Sequence, residues 1–199
     1  MNQKIDSLIA LRHKIINNDK LSASFPSATN LVFGEGNPDA KVLFIGEAPG
    51  KNEDLKAEPF VGASGKILDK ALSEINLDRK DVYITNIVKY RPEDNRDPSD
   101  EEKNMFLPFL VAQILIIKPS LLVTLGRHSM SCFIKSGTIN ALHGRLADID
   151  FSIFDFEFLT KAPKKVFKLL PLFHPAATIY NRNLKEAWDN DFKKILNYI

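Results

Sequence analysis

Ile5, Leu8, Ile9, Leu11, Ile15 and Ile16 recur at helical spacing, so residues 3–17 predict an amphipathic opening helix. The polar stretch "LSASFPSATN" after it predicts a loop, and "KVLFIGE" (41–47) is a short apolar run closed by glycine, as a buried strand would be. Residues 64–75, "SGKILDKALSEI", place Ile67, Leu68, Ala71 and Leu72 on one helical face, with Ser64 as the candidate cap. "DVYITNIVKY" (81–90) is β-branched and aromatic, a second strand. Turn-rich "RPEDNRDPSDEE" follows, and Pro98 and Ser99 open a helix predicted to reach about Ile117. "SLLVTLG" (120–126) is a third strand. Residues 151–175 alternate apolar and polar positions and predict a hairpin ending at His174; a closing helix runs from about Leu184 to Tyr198.

Strands separated by helices imply βαβ units and an α/β fold with a mostly parallel sheet covered on both faces. Ligands of such sheets bind beyond the carboxyl ends of the strands. Three predicted strands end in chemically capable residues: Glu47, Asn86 and His174. No repeat or linker interrupts the pattern, so residues 1–199 are read as a single domain. One cysteine, Cys132, excludes a disulfide framework and a multi-cysteine metal site. A net charge of +2 permits a local nucleic-acid patch without arguing for one. No signal peptide and no apolar run long enough to span a membrane is present, so a soluble, cytoplasmic protein is expected.

The segment "GEAPGKNEDLKAEPFVGASG" (46–65) is polar and glycine-rich directly after a buried strand, a loop with many backbone N–H groups and little to bury. It is suited to holding a small, flat, polar ligand against Phe60. Singly, "GEAPGKNED", "EPFVGASG", "YITNIVKYRPEDNRDP" and "LFHPAA" have ordinary readings as turns, core rings or caps. Together and in this order, with "VFGEGNPDAKVLFIGEAPG" and "VTLGR", they resemble the family 4 uracil-DNA glycosylases from about Val32 to Trp188. The resemblance implies a three-layer α/β/α fold around a short, mostly parallel sheet. That family is otherwise known for an iron–sulfur cluster on four cysteines. Here the N-terminal region has no cysteine, Tyr90 and Phe106 stand at the two later ligand positions, and Cys132 lies elsewhere. No cofactor is therefore expected, and an aromatic plug is expected to fill the cluster's volume.

The resemblance also implies an activity: flipping uracil out of DNA and hydrolysing its N-glycosidic bond to leave an abasic site. Phe60 is then the stacking platform and Asn86 the amide that tells uracil from cytosine. Gly46, Ala48, Pro49 and Gly50 form the turn that lines the base, whose backbone N–H groups (all but Pro49, which has none) satisfy uracil oxygens, and Glu53 blocks the 5-methyl of thymine. His174 donates to the uracil oxygen that gains charge, while Glu47 supplies a carboxylate for the sugar cation and its attacking water. Asp54 is expected to orient the loop. Ser64 and the helix start after Gly62 offer backbone N–H groups to a phosphate, and Lys89, Arg91, Arg96 and Arg182, with Lys185, form the expected basic rim for DNA. Relatives carry a leucine–arginine wedge after "HPA"; here "TIYNR" leaves Ile179 or Tyr180 for that task. Uracil-containing DNA, single- or double-stranded, is the expected partner of a nucleoid-associated monomer. The alternatives are a catalytically weak uracil- or DNA-binding module and a glycosylase with another preferred base.

Overall fold

The structure, a computed structural model, describes residues 3–156, 166–179 and 181–199, with only the backbone of Arg182. Helix α1 (Gln3–Ile16) opens the chain and a short α2 (Asp19–Ala23) follows, capped by Asn18. Two-residue β1 (Glu35–Gly36) precedes β2 (Val42–Gly46), α3 (Lys51–Lys56), α4 (Ala63–Glu74) and β3 (Tyr83–Asn86). Then come α5 (Asp100–Ile117), β4 (Leu121–Leu125), α6 (Arg127–Ser131), α7 (Ile139–Leu142), β5 (Ala147–Asp150), β6 (Val166–Leu172) and α8 (Arg182–Phe192). The strands form one sheet in the order β1-β3-β2-β4-β6-β5. Its four inner strands run parallel, and the edge strands β1 and β5 are antiparallel to their neighbours.

Every residue of β2, β3 and β4 is buried, because helices cover both faces of the sheet. Side chains alternate between those faces. Leu43, Ile45 and Leu122 join α1 and α5 in one core, through Leu8, Leu11, Ile15, Leu110 and Ile114. Val42, Phe44 and Val123 join α4 and α8 in the other, through Leu68, Leu72, Trp188 and Phe192. This is the expected α/β/α sandwich. Among the described residues, no helix is long and apolar enough to cross a membrane.

Local chemistry explains the boundaries. Ser99 and Glu102 form a reciprocal capping box at the start of α5, where the sequence places it. Ser64 is not the cap of α4: Gly62 is, and Ser64 sits inside the first turn. The second strand stops at Asn86 rather than running to Tyr90, since Ile87 and Val88 turn their N–H groups onto the carbonyls of Gly46 and Glu47. The expected hairpin exists with a different first arm: β5 pairs with β6, while Phe151–Ile153 form a single 3-10 turn capped by Asp150. The middle of that expected hairpin, residues 157–165, lies outside the described residues. The closing helix ends at Phe192 and continues as a 3-10 segment to Tyr198.

Tyr90 and Phe106 are buried and meet a third ring, Phe25, from the N-terminal segment. The centroids lie 6.0 Å (Phe25–Tyr90), 5.8 Å (Phe25–Phe106) and 6.1 Å (Tyr90–Phe106) apart, two of the pairs edge-on. The expectation that these rings are buried against the N-terminal segment holds. The trio joins three stretches distant in sequence, so a Phe106→Ala variant opens a cavity at their junction. We expect it to lower unfolding free energy by about 3–5 kcal/mol in urea titrations; a loss below 1 kcal/mol would mean the trio does not hold these segments together.

Candidate active site

Gly46 and Asn86 are register partners at the ends of β2 and β3. The two chains stay joined for two more residues by Ile87 N–H to Gly46 O and Val88 N–H to Glu47 O, each 3.0 Å. A Cβ built on Gly46 would fall inside contact distance of Asn86 Oδ1 and 2.6 Å from the Phe60 ring. The Phe60 ring and the Asn86 amide therefore both lie against this glycine, and no other residue fits between them.

Phe60 has φ 55, in the left-handed region that bulky residues avoid. Two side chains hold it there. Arg79 donates from Nη1 to Phe60 O at 3.0 Å and from Nη2 to Pro59 O. Arg79 is itself fixed by ion pairs with Glu35 and, at 2.9 Å, Asp69. From the other side, Glu53 Oε1 accepts from Val61 N–H at 3.0 Å and Gly62 N–H at 2.7 Å. Gly65 in α4 leaves room for the Phe60 carbonyl, which a Cβ would strike. Arg79 escaped the sequence reading because "LDRKD" looks like any solvated loop; only the fold brings it beneath the platform. Asp54 is buried and accepts from the N–H groups of Thr29 and Asn30, tying α3 to the loop before β1, the orienting task expected of it.

His174 caps the 3-10 turn after β6, and its Nδ1 accepts from Ala176 N–H at 3.2 Å. An acceptor Nδ1 puts the proton of the neutral ring on Nε2. Burial lowers the pKa of His174, with nearby His128 adding to the effect, so the ring is a neutral donor at physiological pH. Its centroid is 6.1 Å from that of Phe60. Gly126, with φ +97, lets the chain after β4 pass close to His174.

Glu47 follows Gly46, and its Oε1 is buried without a hydrogen-bond partner among the described residues. Burial, reinforced by Asp97, pushes the carboxyl up to about 7. His128 Nε2 stands 3.7 Å from Glu47 Oε1 and 3.1 Å from Asp97 Oδ2. Neither neighbour was singled out in the sequence, because Asp97 sits in a turn-rich loop and His128 opens a short helix. These three side chains could hold a cation, but Arg127 competes for the same atoms, reaching His128 Nε2 at 2.9 Å and Asp97 at 3.1 Å.

The expected DNA rim is only partly assembled. Lys89 is a correction: it is fully buried behind β3 and cannot meet a phosphate. Ser64 lies half-buried beside a helix start whose Gly62 N–H already binds the Glu53 carboxylate, a charge that disfavours phosphate there. Arg96 forms a two-point pair with Glu102 (2.6 and 2.8 Å), and Arg91 bonds Asn95. Lys185 is paired with Asp189. Ile179 projects from the turn after His174 and is exposed. Tyr180 and the Arg182 side chain lie outside the described residues. Ala48, Pro49 and Gly50 form the expected turn, and Gly50 caps α3.

The Glu47 environment sets a sign for stability. A carboxyl raised from 4.5 to about 7 binds its proton more tightly when folded, so stability falls as pH rises through that window. We expect Glu47→Gln to raise Tm at pH 8, with the gain shrinking toward pH 5. A Tm difference independent of pH would show that Glu47 is not held in a desolvated site.

The family model of the uracil DNA glycosylase superfamily matches residues 33–199. The chain is 42% identical over 197 residues to a type-4 uracil-DNA glycosylase of Sulfurisphaera tokodaii, covering 96% of this chain and 84% of the relative. It is 43% identical over 178 residues to the type-4 enzyme of Archaeoglobus fulgidus (84% and 81% covered). Against that of Thermotoga maritima it is 39% identical over 173 residues (86% and 84%). With Gly46, Phe60, Asn86 and His174 gathered at the carboxyl edge of a mostly parallel sheet, this chain belongs to the uracil-DNA glycosylase superfamily.

Proposed function

We propose that the protein removes uracil from single- or double-stranded DNA by hydrolysing its N-glycosidic bond, acting as a single-domain monomer. The observation that carries this reading is the meeting of the Phe60 ring and the Asn86 amide over Gly46, with neutral His174 alongside. A flipped base stacks on Phe60. Uracil offers an N3–H donor and an O4 acceptor, which Asn86 answers with Oδ1 and Nδ2; cytosine reverses both demands. Backbone groups of Gly46, Glu47, Ala48, Pro49 and Gly50 line the remaining edge. Glu53, its carboxylate tied to Val61 and Gly62, is a fixed wall on the side we assign to the 5-methyl of thymine.

As the bond to the sugar breaks, charge grows on uracil O2, and His174 Nε2–H stabilises that charge more than the ground state. Glu47 faces the sugar. Its carboxylate offsets the oxocarbenium charge and orients the water, and being ionised only above about pH 7 it makes excision fall in acid. Ile179 is the available wedge beside the pocket, with Arg91, Arg96, Arg182 and Tyr180 retained as candidate DNA contacts.

The reading includes no iron–sulfur cluster. A cluster needs thiolate ligands. The chain has one cysteine, and burial pushes the Cys132 thiol up to about 11, opposite to a ligand's requirement. The packed rings of Phe25, Tyr90 and Phe106 serve instead as the structural plug. Iron analysis of the purified protein is expected to find no stoichiometric metal; finding it would overturn the plug.

Oligonucleotides carrying U, T, hypoxanthine or C, in single- and double-stranded form, test the activity. Excision of uracil alone is expected; Asn86→Asp should slow it strongly, because a carboxylate cannot donate to O4, and His174→Ala should slow it by about 10²–10³-fold, the range for losing one donor to developing charge. Binding without turnover would make the protein a uracil-binding module. Preference for another base would reassign the pocket.

A further inference from the structure

Lys89 lies directly behind the site in a fully buried position. Its Nζ is 2.6 Å from Thr85 Oγ1, 2.7 Å from Asn86 O and 2.5 Å from Gln113 Oε1. Each of these atoms can act only as an acceptor. Asn86 O is a carbonyl. The Thr85 hydroxyl hydrogen is already directed at Phe33 O, 2.9 Å away. Gln113 Nε2 donates to the same carbonyl at 3.1 Å, which turns its Oε1 toward the lysine. Three obligate acceptors require three N–H donors, and only the ammonium form carries three. Burial pushes the lysine pKa well below its usual value, yet the neutral amine would aim a lone pair at one of those oxygens. The Phe33 ring, 6.0 Å from Nζ, adds a favourable face for a cation.

The charge does not stop at the lysine. Asn86 O belongs to the peptide whose N–H is that of Ile87, and Ile87 N–H donates to Gly46 O at 3.0 Å. The peptide carrying Gly46 O ends in the N–H of Glu47. Hydrogen bonds in series polarise one another, so a cation at one end strengthens the donor at the other. Fixed positive potential aimed at the site of developing negative charge is the largest lever a glycosidic cleavage offers.

We propose that Lys89 is a buried ammonium that polarises the Asn86–Ile87 and Gly46–Glu47 peptides toward the base, making it a positioning residue for the departing uracil anion. The inference rests on the uracil-excision reading and deepens it. Lys89 touches neither substrate nor DNA. It acts through the two peptides that frame the pocket, so it favours the anionic leaving group over the neutral base.

Leaving-group dependence tests it. In single-turnover excision, Lys89→Met keeps the side chain's length and removes its charge. The rate on uracil should fall about ten- to a hundredfold. The rate on 5-fluorouracil, whose anion is intrinsically more stable, should fall several-fold less, with DNA affinity unchanged. Equal losses on both bases, or no loss, would overturn the proposal while leaving uracil excision standing. A wild-type protein that excises neither base would overturn both. Should the variant fail to fold, the wild-type protein decides alone: NMR of lysine labelled with ¹⁵N at Nζ should report an ammonium for Lys89 at pH 7, and a neutral amine there would overturn the proposal.

Discussion

Gly46 is where the backbone, the aromatic ring and the amide have to share one space. The parallel pairing of β2 and β3 brings Gly46 level with Asn86, and the absent side chain lets Phe60 close over the pair. Much of the surrounding structure maintains that approach. Phe60 occupies a left-handed conformation because Arg79 grips the Pro59 and Phe60 carbonyls while Glu53 grips the amides that follow. Arg79 in turn depends on Glu35 and Asp69, which come from β1 and α4. The strain at one residue is thus distributed over charged groups from four separate segments.

Beside this junction two ionisable groups are moved toward their uncharged forms. Burial raises the carboxyl of Glu47 and lowers the imidazole of His174, so a neutral base can enter without displacing strongly hydrated ions. On the proposed reading, charge develops on the substrate as the glycosidic bond opens, the sugar facing Glu47 and the base facing His174. The aromatic trio of Phe25, Tyr90 and Phe106 stands on the opposite side of the sheet from α4 and α8, in the core shared with α1 and α5. It ties the segment after β3 to the rest of the protein, and so supports Asn86 from a distance.

The sheet was legible because fully buried strands read as apolar runs, and the residues ending β2 and β3 were legible because the polar character begins abruptly there. Short α3 was not, since Gly50 caps it without a side chain and its outer face is charged like a loop. Lys89 was misplaced for a sound reason: a lysine beside an arginine is normally solvated, and nothing in "IVKYR" announces that Thr85 and Gln113 will enclose it. Arg79, Asp97 and His128 were invisible because their importance comes from neighbours far along the chain. Two of the three arginines expected to face DNA look free in sequence, yet Arg96 is committed to Glu102 and Arg91 to Asn95.

On the proposed reading, Phe60, Asn86 and His174 form one preassembled receptor for uracil. Titrating free uracil into ¹⁵N-labelled protein tests it without requiring turnover. Saturable shifts are expected at the Asn86 side-chain amide and at the His174 Nε2–H, together and with one affinity, and none with cytosine. Shifts confined to other residues, or equal responses to the two bases, would contradict it.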